Sequence, residues 1–176
     1  VFSSNRTGNW ELFVSDVYSE DVRQVTYNTT AIDLDSMWAP VGNFIVFESN
    51  RNGNWDLYLF DIAAGTERQL TTSEGNDVNV FWSSDGSRLL FQSDRDGFWQ
   101  IYEINVGSGE ERRISDGLGD DHAPMYSPDD SMIAFRSFRD GDNSVVYIMN
   151  ADGSDLLRVS DPNGYAQNHV WSPDGS

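Results

Sequence analysis

The chain has 176 residues, enough for one domain of ordinary size, and 29 acidic against 11 basic residues leave a formal charge of −18. Every basic residue is arginine, so the surface repels nucleic acid and anionic membranes and suits cations or basic partners. There is no cysteine, which excludes disulfides, thiolate catalysis and cysteine-based zinc sites. No run approaches the roughly 20 apolar residues of a membrane helix, so no membrane insertion is expected. No signal-peptide segment is present, and a start at Val1 without an initiator methionine reads as a trimmed or excised chain.

The chain opens on VFSSNRTGNWELF: a short β-rich run, a loop of Asn-Arg-x-Gly type and a second β-rich run. A third run, RQVT, follows, and then a fourth that ends at Trp38 before a Pro-x-Gly turn. This order then recurs. VFESNRNGNWDLY, LFQSDRDGFWQIY and AFRSFRDGDNSVVY repeat the opening, and RQLT, RRIS and LRVS repeat the third run. FWSSDG, MYSPDD and VWSPDG repeat the turn at MWAPVG. Phe2, Phe47, Phe91 and Phe135 recur at spacings of 45, 44 and 44, and Trp38, Trp82, Tyr126 and Trp171 at 44, 44 and 45. No stretch carries capped helical periodicity.

Each repeat therefore reads as four short strands. Strand A ends at the Trp or Tyr, B carries the repeated Phe, C follows the Arg-x-Gly loop, and D is the Arg/Gln-Leu-Thr run. Units of four strands and about 44 residues in tandem are blades of a propeller, because one sheet cannot cover both of its faces and its neighbours must. The expected fold is all-β: a single propeller domain, residues 1–176, of four four-stranded antiparallel blades. The chain starts within strand B and stops after strand A, so the B, C and D strands of residues 1–26 are expected to be completed by an A strand at residues 166–172, closing the ring. A monomeric four-bladed ring is favoured. A homodimer exchanging these strands in an eight-bladed ring satisfies every strand equally.

At F-x-S-x-R-x-G-x-W, [RQ]-[LVI]-[TS] and W-S-P-D-G the chain resembles the TolB-like, WD-like β-propeller repeat family over essentially its full length. The resemblance implies a periplasmic or extracellular interaction module. It also implies kinship with propellers that gate peptidases, whose hydrolase lies on a separate domain. The copies depart from the pattern at Val41 for Asp, Ser84 for Pro, Asp130 for Gly and Asn143 for the strand C Trp.

The residues leading into strand A are expected around the mouth of the propeller channel: Asp33, Asp35, Asp77, Asn79, Asp121, His122, Asn168 and His169. Asp33, Asp77 and Asp121 stand five residues before the aromatic in three repeats, and Ala166 takes that place in the fourth. A ring of carboxylates would concentrate negative potential and could hold Ca²⁺ or another cation, although acids at such positions also serve as turn caps. Arg6, Arg51, Arg95 and Arg139 occupy one repeat position, which argues for a structural role. No nucleophile elbow, phosphate loop or metal-ligand spacing is present, so no catalytic residue and no obligatory cofactor are assigned. The leading expectation is a non-catalytic module that binds a protein or peptide. The alternatives are a hydrolase or lyase using carboxylates at the channel mouth, and an excerpt of a larger propeller or propeller-bearing peptidase.

Overall fold

The computed structural model describes residues Val1–Gly175. It is all-β, with fifteen strands among the described residues and antiparallel pairing throughout the registered ladders. The chain divides into two compact units, Val1–Val78 and the residues from Asn79 onward, each described by itself. The boundary falls inside one strand.

The first unit holds a three-stranded sheet, β1 (Phe2–Ser4), β2 (Glu11–Ser15) and β3 (Val22–Gln24). Its second sheet has four strands in chain order: β4 (Asp33–Trp38), β5 (Phe44–Ser49), β6 (Asp56–Asp61) and β7 (Thr66–Gln69). The next four-stranded sheet comprises β8 (Asp77–Trp82), β9 (Arg88–Ser93), β10 (Gln100–Asn105) and β11 (Glu111–Arg113). The last comprises β12 (Asp121–Tyr126), β13 (Met132–Ser137), β14 (Val145–Asn150) and β15 (Leu157–Arg158). These are the expected A-to-D meanders, each turning through hairpins that keep neighbouring strands antiparallel.

The repeat has a common interior. In every sheet the repeated Phe stands opposite an aromatic of strand C: Phe2 by Phe13, Phe47 by Tyr58, Phe91 by Tyr102 and Phe135 by Tyr147. Their ring centroids lie 5.6–6.0 Å apart, the spacing at which aromatic pairs attract. The repeat arginine lies over both rings, with Cζ 4.6 Å from Phe13 for Arg6, 4.1 Å from Tyr58 for Arg51, 4.4 Å from Tyr102 for Arg95 and 5.0 Å from Tyr147 for Arg139. Phe47, Phe91 and Phe135 are fully buried. One core cluster in the first unit joins Leu12, Val25, Ile45, Phe47, Tyr58 and Phe60, side chains of both its sheets. A second cluster joins Leu90, Ile101, Tyr126, Phe135, Tyr147 and Met149 across the two sheets of the second unit. Within each cluster one sheet buries a face against its neighbour, which is how a blade gains stability it lacks alone.

A recurring backbone bond links successive blades. The N–H of Asp33 donates to the carbonyl of Trp10 at 3.0 Å, Asp77 to Trp55 at 2.7 Å and Asp121 to Trp99 at 2.8 Å. Ala166 donates to Ser144 at 2.7 Å, so an extra residue in the fourth Arg-x-Gly loop brings Ser144, not Asn143, to the place of the tryptophan. Three residues before the aromatic, Asp35, Asn79, Ala123 and Asn168 all take left-handed φ, between 46° and 55°. In β4 and β12 this is where the ladder slips, so the residue marks a β-bulge that bends strand A.

The expected strand at residues 166–172 forms no ladder among the described residues. Its expected partner, β1, belongs to the other unit. The segment nevertheless has the backbone turn of the other A strands at Asn168, and Trp171 Nε1 donates to the Met125 carbonyl at 3.3 Å.

Candidate functional site

Asp33, Asp77 and Asp121 are sealed from solvent, each at 0% exposure. Each opens a strand whose next residue points to the opposite side of the sheet. Asp33 accepts from Asn28 Nδ2 at 2.7 Å and from Arg51 Nη2 at 3.3 Å. Asp121 meets Arg139 Nη2 at 3.0 Å, and Asp77 accepts from Ser73 Oγ at 3.1 Å. Burial pushes the Asp121 carboxyl above the usual range, opposed by bonds from Ser137 and Arg139. Arg51 and Arg139 each reach a second carboxylate as well, Glu67 and Asp116 respectively. Asp33 and Asp121 are thus internal ties between strand A and the Arg-x-Gly loop, and Asp77 is sealed like them, so none of the three carboxylates faces solvent. Ala166 replaces the aspartate in the C-terminal copy. Arg6, the arginine of the first blade, bonds only to Ser4 Oγ and the Phe2 and Phe13 rings among the described contacts.

The other expected site residues part company. Asp35, Asn79 and Asn168 are exposed at their left-handed positions. His169 is half-buried, and its ring nitrogens are shut from solvent without a hydrogen-bond partner among the described residues. Burial lowers its pKa. His122 is adjacent to Asp121 in sequence but lies on the other side of β12, so the two do not form a proton-transfer pair. Its ring packs 6.0 Å from Trp99 and edge-on to Phe138 at 5.7 Å, and Phe138 meets Tyr165 at 6.5 Å. Desolvation lowers the pKa of His122 and favours the neutral ring, with Asp120 pulling the other way.

Trp99, His122, Phe138 and Tyr165 therefore form a continuous aromatic row in the second unit. It runs from the loop before β10, through β12, to the loops after β13 and β15. Tyr165 is 58% exposed, and Phe98, beside Trp99, is 59% exposed. Exposed rings of this kind offer rigid apolar area at little conformational cost, as residues that anchor protein contacts do. Sequence reasoning selected only His122. The one available signal was Phe138, which stands where the other repeats have Asn5, Asn50 and Asp94. Among the described residues no three His, Asp or Glu side chains gather as a metal site.

A family profile described as PD40, TolB beta propeller domain, matches residues 50–117 and 100–176. No curated protein matches the chain. Among solved structures, TolB from Acinetobacter baumannii superposes with a TM-score of 0.80 at 23% identity, over 94% of this chain and 41% of that one. A putative TolB from Agrobacterium tumefaciens gives 0.76 at 26% identity, over 89% and 58%. An oligogalacturonate lyase in complex with manganese gives 0.75 at 20% identity, over 99% and 53%. The chain thus spans about half the length of these structures.

Proposed function

The chain belongs to the TolB beta-propeller family, and from that premise we propose that it is a non-catalytic module that binds a protein or peptide partner through the aromatic row of its second unit. The observation that carries the proposal is the division of labour among its side chains. The repeat carboxylates that chemistry would need are sealed inside the blades, Asp33 and Asp121 against arginines, while Phe98 and Tyr165 stay open on the loops. The partner would be apolar or basic, given the charge of −18. The proposal requires no cofactor. A periplasmic or extracellular setting is part of it and rests on family membership. So does a ring in which residues 166–172 complete the first blade, which light scattering tests: about 20 kDa fits a closed monomer, from the chain mass of 19.8 kDa, and twice that fits strand exchange between two chains.

A displayed peptide library panned on the chain, followed by calorimetry, tests the binding role. Saturable binding that weakens by about tenfold or more in Phe138→Ala with Tyr165→Ala supports it, since anchors of this size carry roughly 2 kcal/mol or more each. Binding indifferent to both substitutions overturns the assignment to this row. The enzymatic reading draws on the lyase likeness and on the carboxylates of strand A. Exposed Asp35 is its cleaner test, because Asp121→Asn would strand the buried Arg139 guanidinium. Turnover of a polysaccharide or peptide that Asp35→Asn abolishes would replace the binding reading.

A further inference from the structure

The repeats act as internal controls for a cavity in the first blade. It measures about 530 Å³ and is lined by Thr7, Asn9, Glu11, Gln24, Tyr27 and Asn28 among others, all in the first unit. Glu11 forms its floor, 2% exposed, with Oε2 accepting from Thr26 Oγ1 at 2.6 Å. No arginine pairs with Glu11 in the described salt bridges of the first unit, whose partners are Asp33 and Glu67.

In the third blade the same positions carry Asp96, Gln100, Arg113 and Gly117 in place of Thr7, Glu11, Gln24 and Asn28. There the Arg113 guanidinium bonds Asp96 Oδ2 at 3.1 Å. It comes 3.7 Å from the point a Cβ on Gly117 would occupy, with Gln100 Oε1 3.8 Å from that point. Ser115 Oγ donates to Gln100 Oε1 at 2.8 Å, as Thr26 does to Glu11. The third blade thus fills this space with its own guanidinium over a neutral floor. In the fourth blade Arg158 at the matching position bonds Asp140 at 2.8 Å. In the second, Gln69 Nε2 reaches the floor carboxylate of Asp56 at 3.0 Å. In the first blade Gln24 is too short to reach across as an arginine does. Its Nε2 donates to the Thr26 carbonyl instead, leaving a floor carboxylate under an open cavity.

We infer that the first-blade cavity is a receptor for a guanidinium group, an arginine side chain of a partner, which takes the place that Arg113 fills in the third blade. The group would form charge-assisted bonds to Glu11 with the carboxamides of Asn9 and Asn28 at its edges, while the exposed Tyr27 ring offers a face for stacking. The inference shares with the binding reading only that a partner carries the group. A free probe tests it without that partner, and the substitutions lie in the other unit from the aromatic row.

The probe is N-acetyl-arginine N-methylamide, titrated into the full chain and followed by amide chemical shifts, with the citrulline analogue as the uncharged control. Saturable shifts at the Glu11, Gln24 and Asn28 amides are expected, at roughly millimolar affinity for so small a ligand. The citrulline compound should give none. Glu11→Gln, which copies Gln100, should weaken binding by about tenfold. Thr7→Asp with Gln24→Arg, which copies Asp96 and Arg113, should abolish it by filling the cavity from within. Absence of saturable shifts in the folded wild-type chain, or equal binding by the citrulline compound, overturns the inference. So does undiminished binding in the filled variant. If the filled variant does not fold, Glu11→Gln decides alone, with unchanged affinity the contrary result.

Discussion

Two departures from the W-S-P-D-G pattern turn out to be partners. Ser84 stands where other repeats have Pro40, Pro128 and Pro173, and Asp130 where they have Gly42, Gly86 and Gly175. The Ser84 N–H, which proline would lack, donates to both Asp130 carboxylate oxygens at 2.9 Å, and Ser84 Oγ donates to Oδ2 at 2.6 Å. Asp130 holds φ 59°, a conformation natural to the glycine it replaces. Bonds to a charged group contribute about 1.5–3 kcal/mol when buried, and this pair is exposed, so the interaction is worth about 1–2 kcal/mol. Returning Asp130 to glycine relieves about 1 kcal/mol of left-handed backbone, and returning Ser84 to proline recovers about 0.5–1 kcal/mol of unfolded-state entropy. Each single variant, Ser84→Pro or Asp130→Gly, should therefore be destabilised by up to about 1 kcal/mol, the interaction outweighing the local gain. The double variant loses the interaction only once and collects both gains, so it should match or exceed wild type. Urea unfolding of all four proteins at constant m-value measures the coupling, expected at about 1–2 kcal/mol. Additive effects within about 0.3 kcal/mol would refute the claim that the two substitutions compensate.

Asp56 is buried with a carboxyl pushed up to about 6 by desolvation and by Asp77, so native protein holds a proton between about 3.8 and 6 that the unfolded chain releases. That makes its ionisation a stability penalty that grows as pH rises through this window. Asp56→Asn should lift stability on the order of 1–3 kcal/mol at pH 7 and have little effect near pH 3.5, read from urea midpoints at the two pH values. Ala123, at φ 51°, occupies a left-handed position that its counterparts fill with Asp35, Asn79 and Asn168, so Ala123→Gly should raise stability by about 1 kcal/mol in thermal unfolding despite the added chain entropy. Ser144 stands at the repeat position of Trp10, Trp55 and Trp99, its Oγ buried without a hydrogen-bond partner among the described residues, and Ser144→Ala should be neutral or stabilising by up to about 1 kcal/mol, checked by the same melt.

The repeated Phe and Trp positions, the turn residues and the strand alternation determined the sheets, because each is a local demand restated in every copy. Phe135 is buried against Tyr147 for the same reason that Phe47 is buried against Tyr58. The recurrence of Arg6, Arg51, Arg95 and Arg139 likewise pointed to structure, and three of them do bond carboxylates. What the periodicity does not carry is the direction of side chains at the blade junctions. Asp121 and His122 are neighbours in sequence, yet one is sealed beneath an arginine and the other joins Trp99 and Phe138, because consecutive strand residues face opposite sides. Pairs such as Ser84 with Asp130 lie 46 residues apart, and the Gln24 that leaves a cavity open gains its meaning only beside the Arg113 that fills one. The first forms where one blade packs on the next and the second between strands and loops of a single blade, and only the folded arrangement brings such separated residues within bonding distance.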